Sequence, residues 1–158
     1  PIWKAVMKHS KDRSIVSNGF ATLAIILPHI KPQVIESKSI RAASAILAIH
    51  TEEEIVAQNI VAFLFNCAND GLLSQVLETR AALPTVMKVL IAYPKSLSIV
   101  ERAVGLAILC NHPNKEKLLE AGLLEFPESQ LLLQFLAKMA EAQESKPSNE
   151  APAQEGEK

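Results

Sequence analysis

The chain has 158 residues, of which 49% are hydrophobic and only 4% are aromatic, and its formal net charge is −1. This length and apolar content suit one folded unit with a sizeable core, and the chain is too short for two domains of ordinary size. The near-neutral charge disfavours nucleic acid and anionic membranes as partners, because no basic field is present to attract them. We therefore expect a single domain that packs through aliphatic side chains.

Amphipathic periodicity, interrupted by clusters of Gly, Pro, Asn and Asp, divides the chain into short helical segments without any strand. Two of the helix starts, at Thr51 and at Ser98, carry the Ser/Thr-x-x-Glu pattern of a capping box. The pattern predicts an all-α protein. In chain order, the predicted helices cover residues 2–9, 14–27, 32–37, 39–49, 52–68, 72–80, 84–93, 97–110, 115–121 and 128–142.

The end of the chain, residues 143–158, is rich in Glu, Ser, Pro and Lys and carries no large apolar side chain. Such a composition cannot bury enough apolar surface to fold, so a disordered tail is predicted there. The chain starts at Pro1 rather than at Met, from which we expect a fragment of a longer protein. With no secretory signal and no apolar run of roughly 18 residues, we expect a cytoplasmic location, with the nucleus as the alternative.

Three similar strings recur along the chain at equal intervals. Gln-Val-Ile-Glu-Ser-Lys, Gln-Val-Leu-Glu-Thr-Arg and Lys-Leu-Leu-Glu-Ala-Gly begin at residues 33, 75 and 117, so the spacing is 42 in both cases. A period between about 20 and 50 residues indicates stacked helical repeats. Within one domain over residues 1–142, the predicted units are a partial repeat 1–28, repeats 29–69 and 70–111, and a partial repeat 112–142.

Two segments carry a resemblance to a known family. The string from Asn114 to Leu124 resembles the opening of an armadillo repeat, and the string from Ile60 to Cys67 resembles its third helix. The related HEAT repeats have two helices each, so the three-helix rhythm favours armadillo. The resemblance implies a right-handed α-solenoid of about 3–4 three-helix repeats, whose third helices line a concave groove that binds extended peptides or partner surfaces.

In peptide-binding armadillo proteins, a Trp and an Asn four residues later recur along the third helices and clamp the ligand backbone. Carried over to this chain, the Trp positions fall on Thr22, Ala62 and Gly105, and the Asn positions on Ile26, Asn66 and Leu109. Because Asn66 alone matches, we do not expect capture of basic peptides.

The groove that these residues imply is shallow and apolar, and it suits an amphipathic helix or the surface of another domain. An alternative register, shifted by one residue, would place the same side chains in the core. The candidate partner-binding residues are Thr22, Ile26, Gln58, Ala62, Asn66, Glu101, Arg102, Gly105 and Leu109.

No pattern in the chain predicts catalysis, a cofactor or a metal site. Cys67 and Cys110 each lie in an apolar run, where a free Cys acts as a small buried hydrophobe. The acidic run after His50 suits the first turn of a helix, where it complements the helix dipole. Cys110 and His112 offer only two of the four ligands that a structural zinc site needs. We therefore expect a protein that is not an enzyme.

The leading functional expectation is a protein-interaction scaffold whose partner is another protein. One alternative is a small chaperone adaptor, because the armadillo-like exchange factors of Hsp70 chaperones have a similar repeat number. Another is a nucleic-acid-binding helical repeat, which the net charge disfavours. We expect neither a small-molecule substrate nor insertion into a membrane.

Overall fold

The computed structural model describes residues 2–146, which contain α-helices and no strand. The all-α class is thus confirmed for this part of the chain. Of the predicted tail, residues 147–158 lie outside the described residues, and the last helix extends to Glu144. The helices are α1 (Ile2–Lys8), α2 (Arg13–Glu36), α3 (Ser39–Ile49), α4 (Glu54–Cys67), α5 (Leu73–Glu78), α6 (Ala82–Ala92), α7 (Leu97–Leu109), α8 (Lys115–Glu125) and α9 (Gln130–Glu144).

Helix α2 is longer than the sequence predicted. The expected break between 14–27 and 32–37 is absent, and the helix continues through Pro28 and Pro32. A proline inside a helix lacks the N–H that would bond to the carbonyl four residues earlier, at a cost of about 3 kcal/mol. The carbonyl that Pro28 leaves without this bond belongs to Ala24, and it accepts a hydrogen bond from the Asn66 side chain at 3.3 Å. A neighbouring helix therefore supplies the missing donor.

The two predicted capping boxes are also wrong. Helix α4 begins after Glu53 and α7 begins after Ser96, and neither start has a side-chain cap bond. The Glu53 carboxylate instead contacts the His50 imidazole, with Oε1 2.7 Å from Nδ1. The start of α2 is capped by Asp12, whose carboxylate accepts bonds from two backbone N–H groups at 3.0 and 3.1 Å.

Helices α2, α4 and α7 lie side by side and make the most extensive interhelical contacts. We call them the helix row. Asn59 on α4 donates to Ser17 on α2, and Asn66 donates to Ala24, so the two helices run in the same direction. Both pairs are 42 residues apart in sequence, which equals the spacing of the three repeated strings.

A second layer, formed by α3 and α6, covers one side of the helix row. The two helices contact each other, and they pack against α4 and α7 respectively. The core lies between the layers and includes Phe20 and Phe63, whose rings are 5.4 Å apart. Both side chains are fully buried. Aliphatic side chains make up most of the rest of this core, as the composition predicted.

The chain from Lys115 onward adds two helices to the end of the row. Both α8 and α9 pack against α7. The Ser129 hydroxyl donates to the Glu101 carboxylate at 2.7 Å, and Phe135 lies against Gly105. Because both pairs ascend together in sequence, α9 runs in the same direction as α7. Helix α9 therefore extends the row.

By length and composition alone, the segment Glu54–Glu78 could cross a membrane, in contrast to the sequence expectation. Half of its most apolar window is buried inside the fold. Its backbone also leaves helical geometry at Asp70 and Gly71, where Gly71 has a φ of 94°. Contact with the neighbouring helices accounts for the apolar character of α4, since the core helix of a folded domain can be as long and as apolar as a membrane span.

Candidate interaction surface

The helix row buries one side of α2 and of α4 and leaves part of the other side of these two helices open. On α4, the side opposite the buried residues carries Ile55, Gln58 and Ala62, which are spaced to share one helical face. Ile55 is 69% exposed, and the other two side chains are half-buried. We define the row face as Thr22 and Ile25 on α2, Ile55, Gln58 and Ala62 on α4, and Glu101 and Gly105 on α7.

The buried residues of the three helices of the row can be aligned with one another. The buried series on α2, α4 and α7 are offset by 40 residues between the first two helices and by 43 between the last two. This register gives Thr22, Ala62 and Gly105 equivalent places, and it makes Ile25 the equivalent of Phe65. The series are Val16, Phe20, Leu23 and Leu27; Val56, Ile60, Phe63 and Cys67; and Ile99, Ala103 and Leu106.

The two candidate residues on α2 are four residues apart, so they share one side of that helix, and both lie beside α1. Thr22 is exposed beside α1, and its hydroxyl donates to the Asn18 carbonyl at 2.8 Å. Ile26 is half-buried and lines an apolar pocket of about 380 Å³ together with Trp3 and Ile30. Ile26 is therefore partly covered beside α1, whereas Thr22 is the exposed member of the pair and lies at the edge of the row face.

Asn66, the single match to the family's Asn series, has a structural role in this chain. Its side-chain amide donates to the Ala24 carbonyl that Pro28 leaves without a helical donor. Asn59 makes a similar contact, donating to the Ser17 hydroxyl at 2.8 Å and to the Ser17 carbonyl at 3.2 Å. Asn59 was not predicted to have a role, although the polar pair Gln58 and Asn59 within an apolar stretch was a usable signal.

The candidate residues of α7 form contacts within the fold. The Arg102 guanidinium donates to the Ser98 hydroxyl at 2.7 Å, and Glu101 accepts the bond from Ser129. Leu109, near the end of α7, is half-buried. The charges of Glu101 and Arg102 are thus each engaged by a neighbouring hydroxyl.

Gly105 is buried beneath two aromatic rings from different helices. A Cβ built on this glycine would lie 2.6 Å from Phe65 of α4 and 2.6 Å from Phe135 of α9. The two rings meet edge to face, with centroids 6.2 Å apart. We call this arrangement the aromatic closure. A ligand must displace a ring to reach Gly105, so the open part of the row face lies on α2 and α4.

Neither ring of the aromatic closure was predicted from the sequence. The available signal was Gly105 itself, because a glycine inside an apolar helix often marks a close approach of another element. The sequence does not predict which element approaches, since Phe65 and Phe135 lie on either side of Gly105 at long sequence separations.

The thiols and the buried histidine of the chain are suited to structural roles. Burial raises the pKa of the Cys67 thiol from 9.0 to about 12, and the Asp70 carboxylate adds to the rise. Burial also raises the pKa of the half-buried Cys110 thiol. His50, only 2% exposed, joins Glu53 to the Ser10 carbonyl. Neither cysteine is therefore an activated nucleophile at neutral pH.

Among residues 2–146, no group of three or more His, Cys, Asp or Glu residues is arranged to hold a metal ion. A scan against protein-family models found no match, and searches of the curated proteins and of the solved structures also found none. The role of the row face therefore has to follow from its own residues and contacts.

Proposed function

We propose that this chain is an α-solenoid of the armadillo type that acts as a protein-interaction scaffold. The 42-residue spacing of the three sequence strings supports the repeat assignment, and the buried series of α2, α4 and α7 recur at similar offsets of 40 and 43 residues. The shared direction of α2 and α4, and that of α7 and α9, is what stacked repeats require.

The proposed docking site is the open part of the row face, on α2 and α4, and its occupant is an amphipathic helix of a partner protein. One observation carries this proposal. Helix α9 is itself amphipathic, and it places Phe135 on Gly105 against Phe65. The equivalent pair is Ala62 and Ile25, and Ile25 is 78% exposed. On α4 the place that α9 takes on α7 belongs to α7 itself, so a partner helix would reach Ala62 and Ile25 from the open side of the row.

The energetics of this contact favour such an occupant. Ile25 and Ile55 are 78% and 69% exposed, and fully burying an aliphatic side chain contributes about 1.5–3 kcal/mol. A docked helix reaches such positions with residues spaced by three and four along one face. Gln58 and Asn18 beside them offer polar groups for the rim of the interface.

Affinity purification from native extract, followed by mass spectrometry, tests the proposal with two matched variants. Ile25→Glu places a charge on the open row face, and Ile91→Glu places the same charge at a 79% exposed isoleucine on α6. We expect Ile25→Glu to lose partners that the wild type and Ile91→Glu retain. Circular dichroism should show equal helix content in all three proteins.

The same experiment distinguishes the competing functions. Equal recovery of every partner by both variants would exclude the row face as the docking site. Recovery of an Hsp70 chaperone would favour the adaptor alternative, and partners that nuclease treatment removes would favour nucleic-acid binding.

A further inference from the structure

A cleft lies on the opposite layer of the fold, between α3 and the α5–α6 segment. Its volume is about 810 Å³, and none of its lining residues belongs to α4 or α7. One wall is formed by α3 with Arg41, Ala45 and Ala48, and the other includes Glu78 and Arg80. We call it the α3–α6 cleft. It is therefore separate from the row face.

The charge of the α3–α6 cleft differs in sign from that of the whole chain. Lys38, Arg41 and Arg80 line it together with one acid, Glu78, which gives a local charge of +2 against −1 for the chain. Within residues 2–146, none of these four side chains takes part in an ion pair, since the one such contact joins His50 to Glu53. The three cations also make no side-chain hydrogen bond there, and they remain available to a ligand.

The hydroxyl groups of the cleft are already engaged within their own helices. Ser44 donates to the Ile40 carbonyl, and Thr79 and Thr85 donate to carbonyls four residues earlier. Recognition in the cleft therefore depends on the positive charges and on apolar contact.

Small side chains keep the α3–α6 cleft open. Ala45 and Ala48 are exposed on the outer side of α3, and Ile35 beside them is 46% exposed. The buried residues of α3 and α6 are offset by 43 residues, and in that register Ala45 and Ala48 correspond to Lys88 and Ile91. Larger side chains at these two places would fill the cleft. Its floor is thus apolar and accessible.

We propose that the α3–α6 cleft binds an acidic peptide segment of a partner protein. Carboxylates of the segment pair with Lys38, Arg41 and Arg80, where the arginines offer bidentate geometry. An aliphatic side chain of the segment packs against Ala45 and Ala48. A nucleic acid fits less well, because it presents no aliphatic group to the apolar floor.

Selection from a random peptide display library on the immobilised full chain provides the probe. We expect enriched sequences to combine two or more Asp or Glu residues with an aliphatic residue. A synthetic copy of the most enriched peptide is then titrated by fluorescence anisotropy. Binding to Arg41→Ser/Arg80→Ser should weaken about tenfold, as expected for the loss of two exposed ion pairs.

Two further variants locate the site. Lys88→Ser/Lys95→Ser removes the same charge from exposed lysines outside the cleft, and it should bind the peptide like the wild type. Ala45→Trp retains every charge but fills the floor, and it should weaken binding. Ile25→Glu should leave this affinity unchanged, which separates failure of the cleft from failure of the row face.

Several results would overturn the proposal. One is a selection that enriches no acidic sequences. Another is a peptide that binds Arg41→Ser/Arg80→Ser or Ala45→Trp as tightly as the wild type. A third is a single-stranded oligonucleotide that displaces the peptide and depends on the same two arginines, since this would assign the cleft to nucleic acid instead.

Discussion

The two ends of the helix row are joined by different chemistry. Between α2 and α4, Asn59 and Asn66 donate hydrogen bonds across the interface, and Ile25 stays 78% exposed. Between α7 and α9, Phe135 covers Gly105 and meets Phe65 of α4. The first junction leaves its outer face open, and the second closes it. Equivalent positions therefore differ in whether a partner can reach them.

The difference shows how one arrangement of side-by-side helices gives two outcomes from small changes of residue size. Gly105 has no side chain, so the rings of two flanking helices can approach its backbone. The equivalent Ala62 carries a methyl group, and Ile25 stands in the place of Phe65. The Ala62 methyl group and the Ile25 side chain leave room for a helix of a partner protein. At the equivalent place around Gly105, Phe65 and Phe135 fill the space.

The largest expected effect comes from truncating an aromatic ring at each end. Phe63→Ala removes a fully buried ring from the core beside α2 and should cost about 3–5 kcal/mol of unfolding free energy, measured by urea denaturation. Phe135 is 8% exposed near the end of the row, so Phe135→Ala should cost less. Hydrogen exchange should then increase mainly in α9. An equal and global loss from both variants would contradict the comparison.

Adding a single carbon at Gly105 tests the aromatic closure. Gly105→Ala places a Cβ 2.6 Å from both Phe65 and Phe135, so a ring must move, at a cost of about 1–3 kcal/mol. We expect faster hydrogen exchange in α9 and unchanged exchange in α2. The control is Ala62→Ser at the open equivalent position, where the change should stay within about 0.5 kcal/mol. An equal response of the two sites would mean that both are closed.

Local patterns predicted the helices well, and they failed where the deciding contact lies far away in sequence. Helix α3 was expected at 39–49 and is found at Ser39–Ile49, because its periodicity is set within the segment. The spacing of 42 also reappears in the Asn59 and Asn66 contacts. The break near Pro28 was wrong, since its compensating donor lies on α4. Whether a helix continues through a proline depends on its packing partners in other helices, and the periodicity of the segment does not show these partners.

The candidate site was likewise predictable in part, where local spacing decides, and unpredictable where a distant residue decides. The register that placed Thr22, Ala62 and Gly105 at equivalent positions agrees with the burial pattern, because apolar spacing determines which side of a helix faces the core. The accessibility of Gly105 was not predictable. It depends on Phe135, which α9 brings against α7 from 30 residues further along the chain.

The smallest expected effect tests the polar junction through a double-mutant cycle. Asn66→Ala removes the donor to the Ala24 carbonyl, and it should cost about 1 kcal/mol in urea denaturation, the typical net value of one hydrogen bond. Pro28→Ala restores a backbone N–H that can bond to the same carbonyl. In that background Asn66→Ala should cost less, because the acceptor is no longer left without a donor.

Asn59 supplies the control for this cycle, since its bonds go to Ser17, whose carbonyl lies outside the reach of residue 28. Asn59→Ala should therefore cost the same with Pro28 or with alanine at that position. Coupling of Asn66 alone to residue 28 would show that the α2–α4 junction is stabilised by the bond from Asn66 to the carbonyl that Pro28 leaves without a helical donor. Equal coupling of both asparagines would instead mean that Pro28 bends α2 as a whole, and the junction would then depend on helix shape rather than on one amide.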